Sequence, residues 1–219
     1  MSLKNVISPV MIGPSSSHTA GALRIAKFAY NYIGNIPQKV EFQLHGSFAD
    51  TYIGHGTDRA LLGGLLGYEV DDIRIRDSYK AAKDINLEYS FVSEDLGEVH
   101  PNTLKIIATY NDIDYSITGS SIGAGKIEII EIDGTLTKLN CSKPTIVITN
   151  KDKPGVLQKV LATISNHRIN IANINLNRVS KYLNEAVCII ELDKNPGLIL
   201  LTEIKNIDHI ISSKFIPKI

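Results

Sequence analysis

The chain has no tryptophan, only two cysteines and no net charge, since 23 basic residues balance 23 acidic ones. This balance gives no basic surface of the kind that binds nucleic acid or an anionic membrane. No apolar run is long enough to cross a bilayer, and the short apolar runs near the N terminus are broken by Pro9, Gly13 and Pro14. We therefore expect a soluble, cytoplasmic protein whose partners are small molecules or other proteins.

The two cysteines, Cys141 and Cys188, are far apart and lie in no CxxC or CxxH pattern. Such spacing indicates neither a disulfide framework nor a zinc site, so we expect two reduced thiols in the interior and no metal ligands in this chain. Hydrophobic residues make up 43% of the 219 residues, which is enough for a proper core and leaves room for two domains. We place the first domain at residues 1–138, a linker at 139–143 and the second domain at 144–219.

Hydrophobic periodicity predicts an α+β (mixed α/β) fold for the first domain rather than a doubly wound sheet. Its helices are predicted at residues 18–33, 57–66 and 78–83, and its strands at 39–44, 69–75, 86–92, 104–110, 113–118 and 126–132. The second domain has the order βαββαβ, with strands at 145–149, 169–177, 185–192 and 209–215 and helices at 156–167 and 196–205. This order is typical of a ferredoxin-like sandwich.

The segment from Gly13 to Thr19, with the sequence GPSSSHT, places four hydroxyl groups and an imidazole where a loop turns into the first predicted helix. The first backbone N–H groups of a helix have no partner inside it and carry the positive end of its dipole, so they stabilise a bound carboxylate or phosphate. We expect Ser16 or Ser17 to be the N-cap. One serine here would indicate a cap alone, but three serines followed by His18 and Thr19 exceed what capping requires.

Polar side chains also lie on three turns that carry glycine or proline, at 45–47 (HGS), 54–59 (GHGTDR) and 100–103 (HPNT). His45 ends a predicted strand and His55 precedes a predicted helix, so we expect both imidazoles at the mouths of elements, where reacting groups are commonly placed. A lone histidine is more often structural. The glycines on both sides of His55, however, leave its backbone open to close approach by another group.

A fourth cluster is the segment 119–126, with the sequence GSSIGAGK. Its spacing fits neither a P-loop nor the dinucleotide-binding fingerprint, which leaves an anion-binding nest of backbone amides or a plain hairpin as alternatives. The chain has no G-x-S-x-G motif and no recognisable spacing of metal ligands. Neither a serine hydrolase nor a metal site formed by this chain alone is therefore indicated.

The second domain resembles an ACT domain, whose D-x-P-G-x-L turn is met here at Asp152, Pro154, Gly155 and Leu157. The resemblance implies that the domain pairs with a second copy and binds a small effector, often an amino acid. The effector-binding residues that it implies are Asn150, Asp152, Gly155, Val156 and Leu157. A domain that only forms an interface is the alternative.

The segment 13–19 and the four polar clusters, taken with Ser8-Pro9-Val10, resemble the β chain of the two-chain iron–sulfur L-serine dehydratases. Ala124 is a departure, because it stands where relatives usually continue a glycine run. The resemblance implies a first domain similar to allosteric-substrate-binding domains and the conversion of L-serine to pyruvate and ammonia. It also implies a [4Fe–4S] cluster that acts as a Lewis acid on the substrate hydroxyl and is held by three cysteines of an α chain. Two unclustered cysteines cannot replace those three, which argues that this chain is half of an enzyme and is inactive alone.

Within this resemblance, the imidazoles that could transfer protons are those of His18, His45 and His55. The residues that could bind substrate are Ser15, Ser16, Ser17, Thr19, Ser47, Thr57 and Asn102. Which imidazole is the base stays open, and the α chain is an alternative source of it. Two other functions stay open: a purely regulatory serine-sensing subunit, like the similar allosteric domain of some phosphoglycerate dehydrogenases, and a free-standing amino-acid-binding module.

Overall fold

The computed structural model describes residues 10–180 and 184–219, so Ser8 and Pro9 of the motif lie outside the described residues. The chain divides into two compact units between Asn140 and Cys141. Within the described part of the chain, no helix is both long and apolar enough to span a membrane. The mixed helix and strand content that the sequence predicts is confirmed, and each unit is described by itself below.

The first unit contains four α-helices and six strands among its described residues. A π-helical turn at Ser16–Gly21 leads into α1 (Ala22–Ile33), and α2 (Ser47–Thr51), α3 (Thr57–Leu65), a 3-10 helix (Ile73–Asp77) and α4 (Ser78–Asp84) follow. The strands are β1 (Lys39–Leu44), β2 (Glu88–Ser93), β3 (Thr103–Tyr110), β4 (Ile113–Gly123), β5 (Lys126–Ile132) and β6 (Thr135–Leu139). They form one sheet in the order β2-β1-β3-β4-β5-β6, in which only the β1–β2 pair is parallel.

Helix α1 forms where the sequence predicts it, because its apolar residues recur at helical spacing and face the sheet and α3. Leu23 and Phe28 are fully buried, together with Leu61 of α3 and Phe42 of β1. Gly34 ends the helix at a φ of 85°, a left-handed conformation that glycine adopts without strain. The packing of α1 on α3 is important for the site, because the segments before these two helices carry its histidines.

Two local predictions for the first unit are wrong, and the sequence does not predict helix α2 or strand β6. The residues at 69–75 form a loop and a 3-10 helix rather than a strand, because the Asp72 carboxylate caps the turn by accepting from the Arg74 N–H, and because Ile73 stays 56% exposed. The N-cap of the first helix is Ser15 rather than Ser16 or Ser17.

The second unit has the predicted order βαββαβ, with the elements β7 (Thr145–Lys151), α5 (Val156–Asn166), β8 (Ile171–Ser180), β9 (Glu185–Leu192), α6 (Leu198–Lys205) and β10 (Ile210–Ile216). Its four strands are antiparallel in the order β10-β7-β9-β8. Ile148 and Ile190 of the sheet are buried with Val160 and Ile164 of α5 and Leu200 of α6. The ferredoxin-like sandwich predicted for this unit is confirmed.

Candidate functional site

The start of the first helix is fixed on the sheet by a glycine. Ser15 accepts a hydrogen bond from the His18 N–H at 3.1 Å, and the next turn is a π-helix, a wider form that often marks functional sites. Gly21, at the end of that turn, packs against Ser121 of β4 so closely that a Cβ on Gly21 would lie 2.0 Å from the Ser121 Oγ. The serine–histidine turn is therefore held against β4 by a contact that only glycine allows.

The His18 imidazole lies between two serine hydroxyls. Its Nδ1 is 3.3 Å from the Ser15 Oγ and its Nε2 is 3.0 Å from the Ser47 Oγ. The Phe48 ring meets the imidazole edge-on, with 5.4 Å between ring centroids. Ser47 and Phe48 begin α2, directly after Gly46, where a Cβ would lie 2.8 Å from the Pro101 carbonyl oxygen. The predicted turns at 45–47 and 100–103 therefore meet at this glycine.

His55 is the second imidazole of the site. Its ring centroid lies 4.8 Å from that of His18, and the two rings are tilted by 39°. The Thr19 hydroxyl donates a hydrogen bond to the His55 carbonyl at 3.0 Å, which ties the loop before α3 to the π-helical turn. A cavity of about 370 Å³, lined by residues 50–55, opens beside this imidazole. His18 and His55 therefore form a pair, of which His55 lines an open cavity.

Burial is the main cause that lowers the pKa of the His18 imidazole, and the nearby His55 lowers it further, while a hydrogen bond with Ser47 opposes the shift. At neutral pH His18 is therefore the neutral imidazole, with one protonated nitrogen and one lone pair. The Ser15 and Ser47 hydroxyls can each donate to the ring or accept from it, so the two contacts are compatible with a ring proton on either nitrogen.

Unpartnered polar atoms concentrate in the same place. Six buried side-chain nitrogen or oxygen atoms among the described residues have no hydrogen-bond partner. Four of them belong to the predicted clusters: His55 Nδ1, Thr57 Oγ1, Asn102 Oδ1 and Ser121 Oγ. A buried polar group without a partner costs about 1 to 3 kcal/mol, and native proteins contain few of them. A cluster of unpaired polar atoms of this kind is expected at a ligand-binding site.

The remaining predicted residues fall into three environments. The hydroxyls of Ser16 and Ser17 are half-buried and make no side-chain hydrogen bond with a described residue, whereas Thr19 is buried and already bonded to His55. The backbone carbonyl of Asn102 accepts a hydrogen bond from the Ser121 N–H at 2.8 Å. This bond brings Asn102 close to the contact between β4 and the π-helical turn. Each position is compatible with the candidate site.

His45 is oriented elsewhere. Its Nδ1 accepts from the Leu96 N–H at 3.2 Å and lies 3.6 Å from the Asp95 carboxylate. Among the described residues, no hydrogen bond or ring contact joins it to His18 or His55. Sequence reasoning missed Phe48, which no polar motif marks, and Tyr79, whose hydroxyl donates to the buried Asp58 carboxylate at the start of α3 at 2.5 Å.

Comparison with known proteins identifies the family. The profile of the family described as serine dehydratase beta chain matches residues 6–131, and the profile of the ACT domain matches residues 145–209. The chain belongs to the serine dehydratase beta chain family. The L-serine dehydratase beta chain of Peptoniphilus asaccharolyticus is 40% identical over 213 residues, which cover 96% of each chain. The probable L-serine dehydratase beta chain of Bacillus subtilis is 39% identical, over 96% of this chain and 95% of that one.

A more distant relative of this serine dehydratase β chain has a different name. A D-3-phosphoglycerate dehydrogenase of Methanocaldococcus jannaschii is 30% identical over 155 residues, which cover 69% of this chain and 29% of the dehydrogenase. The similarity to named β chains makes the present chain a serine dehydratase subunit, associated with lyase activity and with an α-chain partner.

In the ACT unit of the β chain, the predicted effector residues surround the turn after β7. Gly155 has a φ of 87° and begins α5, while Val156 is buried and Leu157 packs on the core. The Asn150 side chain is buried and donates to the Lys151 carbonyl at 2.7 Å. The Asp152 carboxylate pairs with the Arg178 guanidinium at 2.6 Å.

The donor atoms of the β chain do not fit a [4Fe–4S] cluster. Cys141 and Cys188 form no disulfide and are both buried, and burial raises the pKa of both thiols, that of Cys188 to about 11. A thiol with a raised pKa disfavours the thiolate form that binds iron. Within the described ranges, no three His, Cys, Asp or Glu side chains are grouped so that they could hold a metal ion.

Proposed function

We propose that this β chain completes the active site of an L-serine ammonia-lyase by binding the substrate carboxylate and handling its α-proton. The reaction removes the α-proton and the β-hydroxyl of L-serine as water, and the resulting enamine tautomerises and hydrolyses to pyruvate and ammonia. The cluster that activates the hydroxyl would be held by the α chain, since the cysteines described above do not suit it. The proposal for this chain depends on the His18 imidazole, held neutral between Ser15 and Ser47 beside His55.

His18 is the better candidate for the base of the pair. A neutral imidazole keeps one nitrogen unprotonated at neutral pH, and the two serine contacts orient the ring. The serine hydroxyl beside the unprotonated nitrogen can rotate away when that nitrogen takes up the α-proton of the substrate. The adjacent His55 presents an unpartnered buried Nδ1, which can hydrogen-bond the substrate or accept the proton in a second step. General-base catalysis of this type contributes about 10²- to 10⁴-fold to a rate.

The carboxylate of L-serine fits the start of the first helix. The hydroxyls of Ser16 and Ser17 are available there, and the π-helical turn continues directly into α1, so the N–H groups of an 18-residue helical segment (16–33) point toward the turn. The unpartnered Asn102 Oδ1 is an acceptor that suits the substrate ammonium group. The carboxylate and the ammonium group of L-serine would then bind to different residues.

The test is anaerobic turnover of L-serine to pyruvate by this chain alone, by the cluster-loaded α chain alone and by the two mixed. We expect turnover only in the mixture. His18→Gln should lower kcat by about 10²- to 10⁴-fold, with the cluster absorbance and the α–β assembly unchanged. His167→Gln is the matched control, because that histidine lies in the ACT unit and bonds Glu203 at 2.8 Å.

A regulatory subunit is the second candidate, favoured by the ACT profile and by the similarity to a D-3-phosphoglycerate dehydrogenase. If the α chain alone is fully active, or if His18→Gln changes only the lag before full activity, the β chain is a serine sensor and the catalytic role is wrong. The two functions can be distinguished because His18→Gln would keep its kcat at saturating serine if the β chain were only a sensor.

We also infer that the ACT unit associates with a second copy and binds an amino acid at the turn after β7. Strand β8 is an edge of the four-stranded sheet, and Ile174, Leu176 and Val179 on it are 40 to 48% exposed. An apolar edge strand is suited to pairing between identical sheets. Sedimentation of the full chain with Leu176→Glu should show loss of the dimer, and an unchanged dimer would contradict this interface.

A further inference from the structure

The first unit contains a second cavity, of about 290 Å³, which is lined by different residues from the cavity beside His55. It is lined by Gly13, Pro14, Thr19, Gly56, Arg59 and Arg76, together with two isoleucines. Of the predicted substrate-binding residues, only Thr19 lines this cavity. It is therefore a separate space, and neither His18 nor His55 lines it.

The two arginines that line this cavity have no acidic partner. Neither Arg59 nor Arg76 forms an ion pair with a carboxylate among the described residues, and no aspartate or glutamate lines the cavity. Arg74, two residues from Arg76, shows the contrast, because it pairs with Asp72 at 2.6 Å and lies over the Tyr68 ring at 4.4 Å.

The nearest acidic side chain on α3 is already occupied. The Asp58 carboxylate is buried and accepts from the Tyr79 hydroxyl at 2.5 Å and from the Arg59 backbone N–H at 2.8 Å. Among the described residues, it forms no ion pair with the Arg59 guanidinium. Two positive groups on one cavity without a compensating charge raise its affinity for anions.

We propose that this cavity binds a small oxyanion, a carboxylate or a phosphate group, between the guanidinium groups of Arg59 and Arg76. A guanidinium group matches the geometry of both anions through paired hydrogen bonds. The cavity also lies at the start of the nine-residue helix α3, where Gly56 leaves open space: a Cβ built on Gly56 meets no atom within 4 Å. The volume is at the lower end of the range for small-molecule sites, which restricts the ligand to a few heavy atoms.

Thr19 connects this oxyanion site with the histidines. It lines the cavity, follows His18 in the chain, and donates its hydroxyl proton to the His55 carbonyl at 3.0 Å. A bound anion that restrains Thr19 would therefore restrain both imidazoles. The proposal concerns binding and does not depend on which chain carries the catalytic base.

The experiment is calorimetric titration of the full chain with inorganic phosphate in one arm and pyruvate in another, in a buffer without oxyanions. Arg59→Gln and Arg76→Gln should each weaken binding about tenfold or more, because each removes one charged hydrogen-bonding partner. The matched control is Arg74→Gln, which removes the same charge from the same 3-10 helix but outside the cavity, and should change the affinity less than about twofold. Tighter phosphate binding identifies a phosphate site, and tighter pyruvate binding a carboxylate site.

Two results would overturn the proposal. One is the absence of binding of either probe to the unaltered chain at about 10 mM. The other is an Arg74→Gln effect as large as those of the two cavity variants, which would indicate attraction by overall charge. Arg59→Lys guards against a folding artefact, because it keeps the charge and loses the paired geometry, and we expect it to bind more weakly than the unaltered chain but more tightly than Arg59→Gln.

Discussion

Replacing Gly64 with alanine should disturb the histidine pair through packing alone. Gly64 lies on α3 where that helix crosses α1, and a Cβ on it would be 2.2 Å from the Leu23 carbonyl oxygen and 2.9 Å from the Ala26 Cβ. Ordinary contacts begin near 3.4 Å, so the helices must separate by about 1 Å to admit the methyl group. Because His18 precedes α1 and His55 precedes α3, the same displacement should move the two rings apart.

The cost follows from two opposing effects. Overpacking costs about 1 to 3 kcal/mol, and the upper part of that range applies because a backbone carbonyl cannot rotate away. Alanine regains about 1 kcal/mol over glycine within a helix. The net loss in the free energy of unfolding is therefore about 2 kcal/mol, equivalent to a decrease of about 1 M in the urea midpoint.

Gly63→Ala is the matched control. Gly63 lies on the same helix, and its replacement brings the same gain in helix propensity. A Cβ on Gly63 would meet only side-chain atoms, the closest being the Ser78 Oγ at 3.1 Å. Urea denaturation of the full chain, followed by circular dichroism, should show a large loss for Gly64→Ala and little change for Gly63→Ala. Proton NMR should show weaker contact between the His18 and His55 rings in Gly64→Ala only. Equal midpoints for the two variants would refute the packing argument.

The remaining predictions concern titration and thiol reactivity. The His18 pKa, measured by NMR, should lie below 6.5 because burial and His55 both lower it, and His55→Gln should raise it; an unchanged value would contradict the contact between the rings. Because the unfolded state then binds more protons, His18 should contribute stability above pH 6.5 that is lost as the pH falls through its folded pKa, a loss that His18→Gln should remove. Cys141 and Cys188 should react with a thiol reagent at neutral pH only after unfolding, since both are buried with raised pKa values; rapid labelling of the native chain would disprove their burial.

Much of the fold could be predicted from the sequence because local patterns determine it. Strands β1, β5 and β9 have the predicted bounds, since alternating or continuous apolar residues are bounded by clear turns. The segment 69–75 was predicted as a strand because Ile73 and Ile75 alternate with the polar residues Asp72 and Arg74. Tertiary packing buries Ile75 and leaves Ile73 exposed, and Asp72 caps a turn. The local sequence pattern does not show this.

The candidate site was predictable as a set of residues and not as an arrangement. Glycine-bearing turns at the ends of elements identified both His45 and His55, and nothing in their spacing distinguishes the two. The distinction comes from contacts between distant segments: His18 meets Ser47, which is 29 residues away, whereas His45 bonds the backbone of Leu96, which is 51 residues away. Such pairs depend on sheet order, which a single sequence does not encode locally.

The unpartnered atoms of the site argue that the β chain folds with its binding groups prepared in advance. At about 1 to 3 kcal/mol each, His55 Nδ1, Thr57 Oγ1 and Asn102 Oδ1 together would remove a large part of the stability of an ordinary domain. Close contacts at Gly21 and Gly46 fix the turns around these groups. Groups held fixed in this way lose little conformational entropy when a ligand arrives, so the free energy lost in folding is recovered as affinity and orientation.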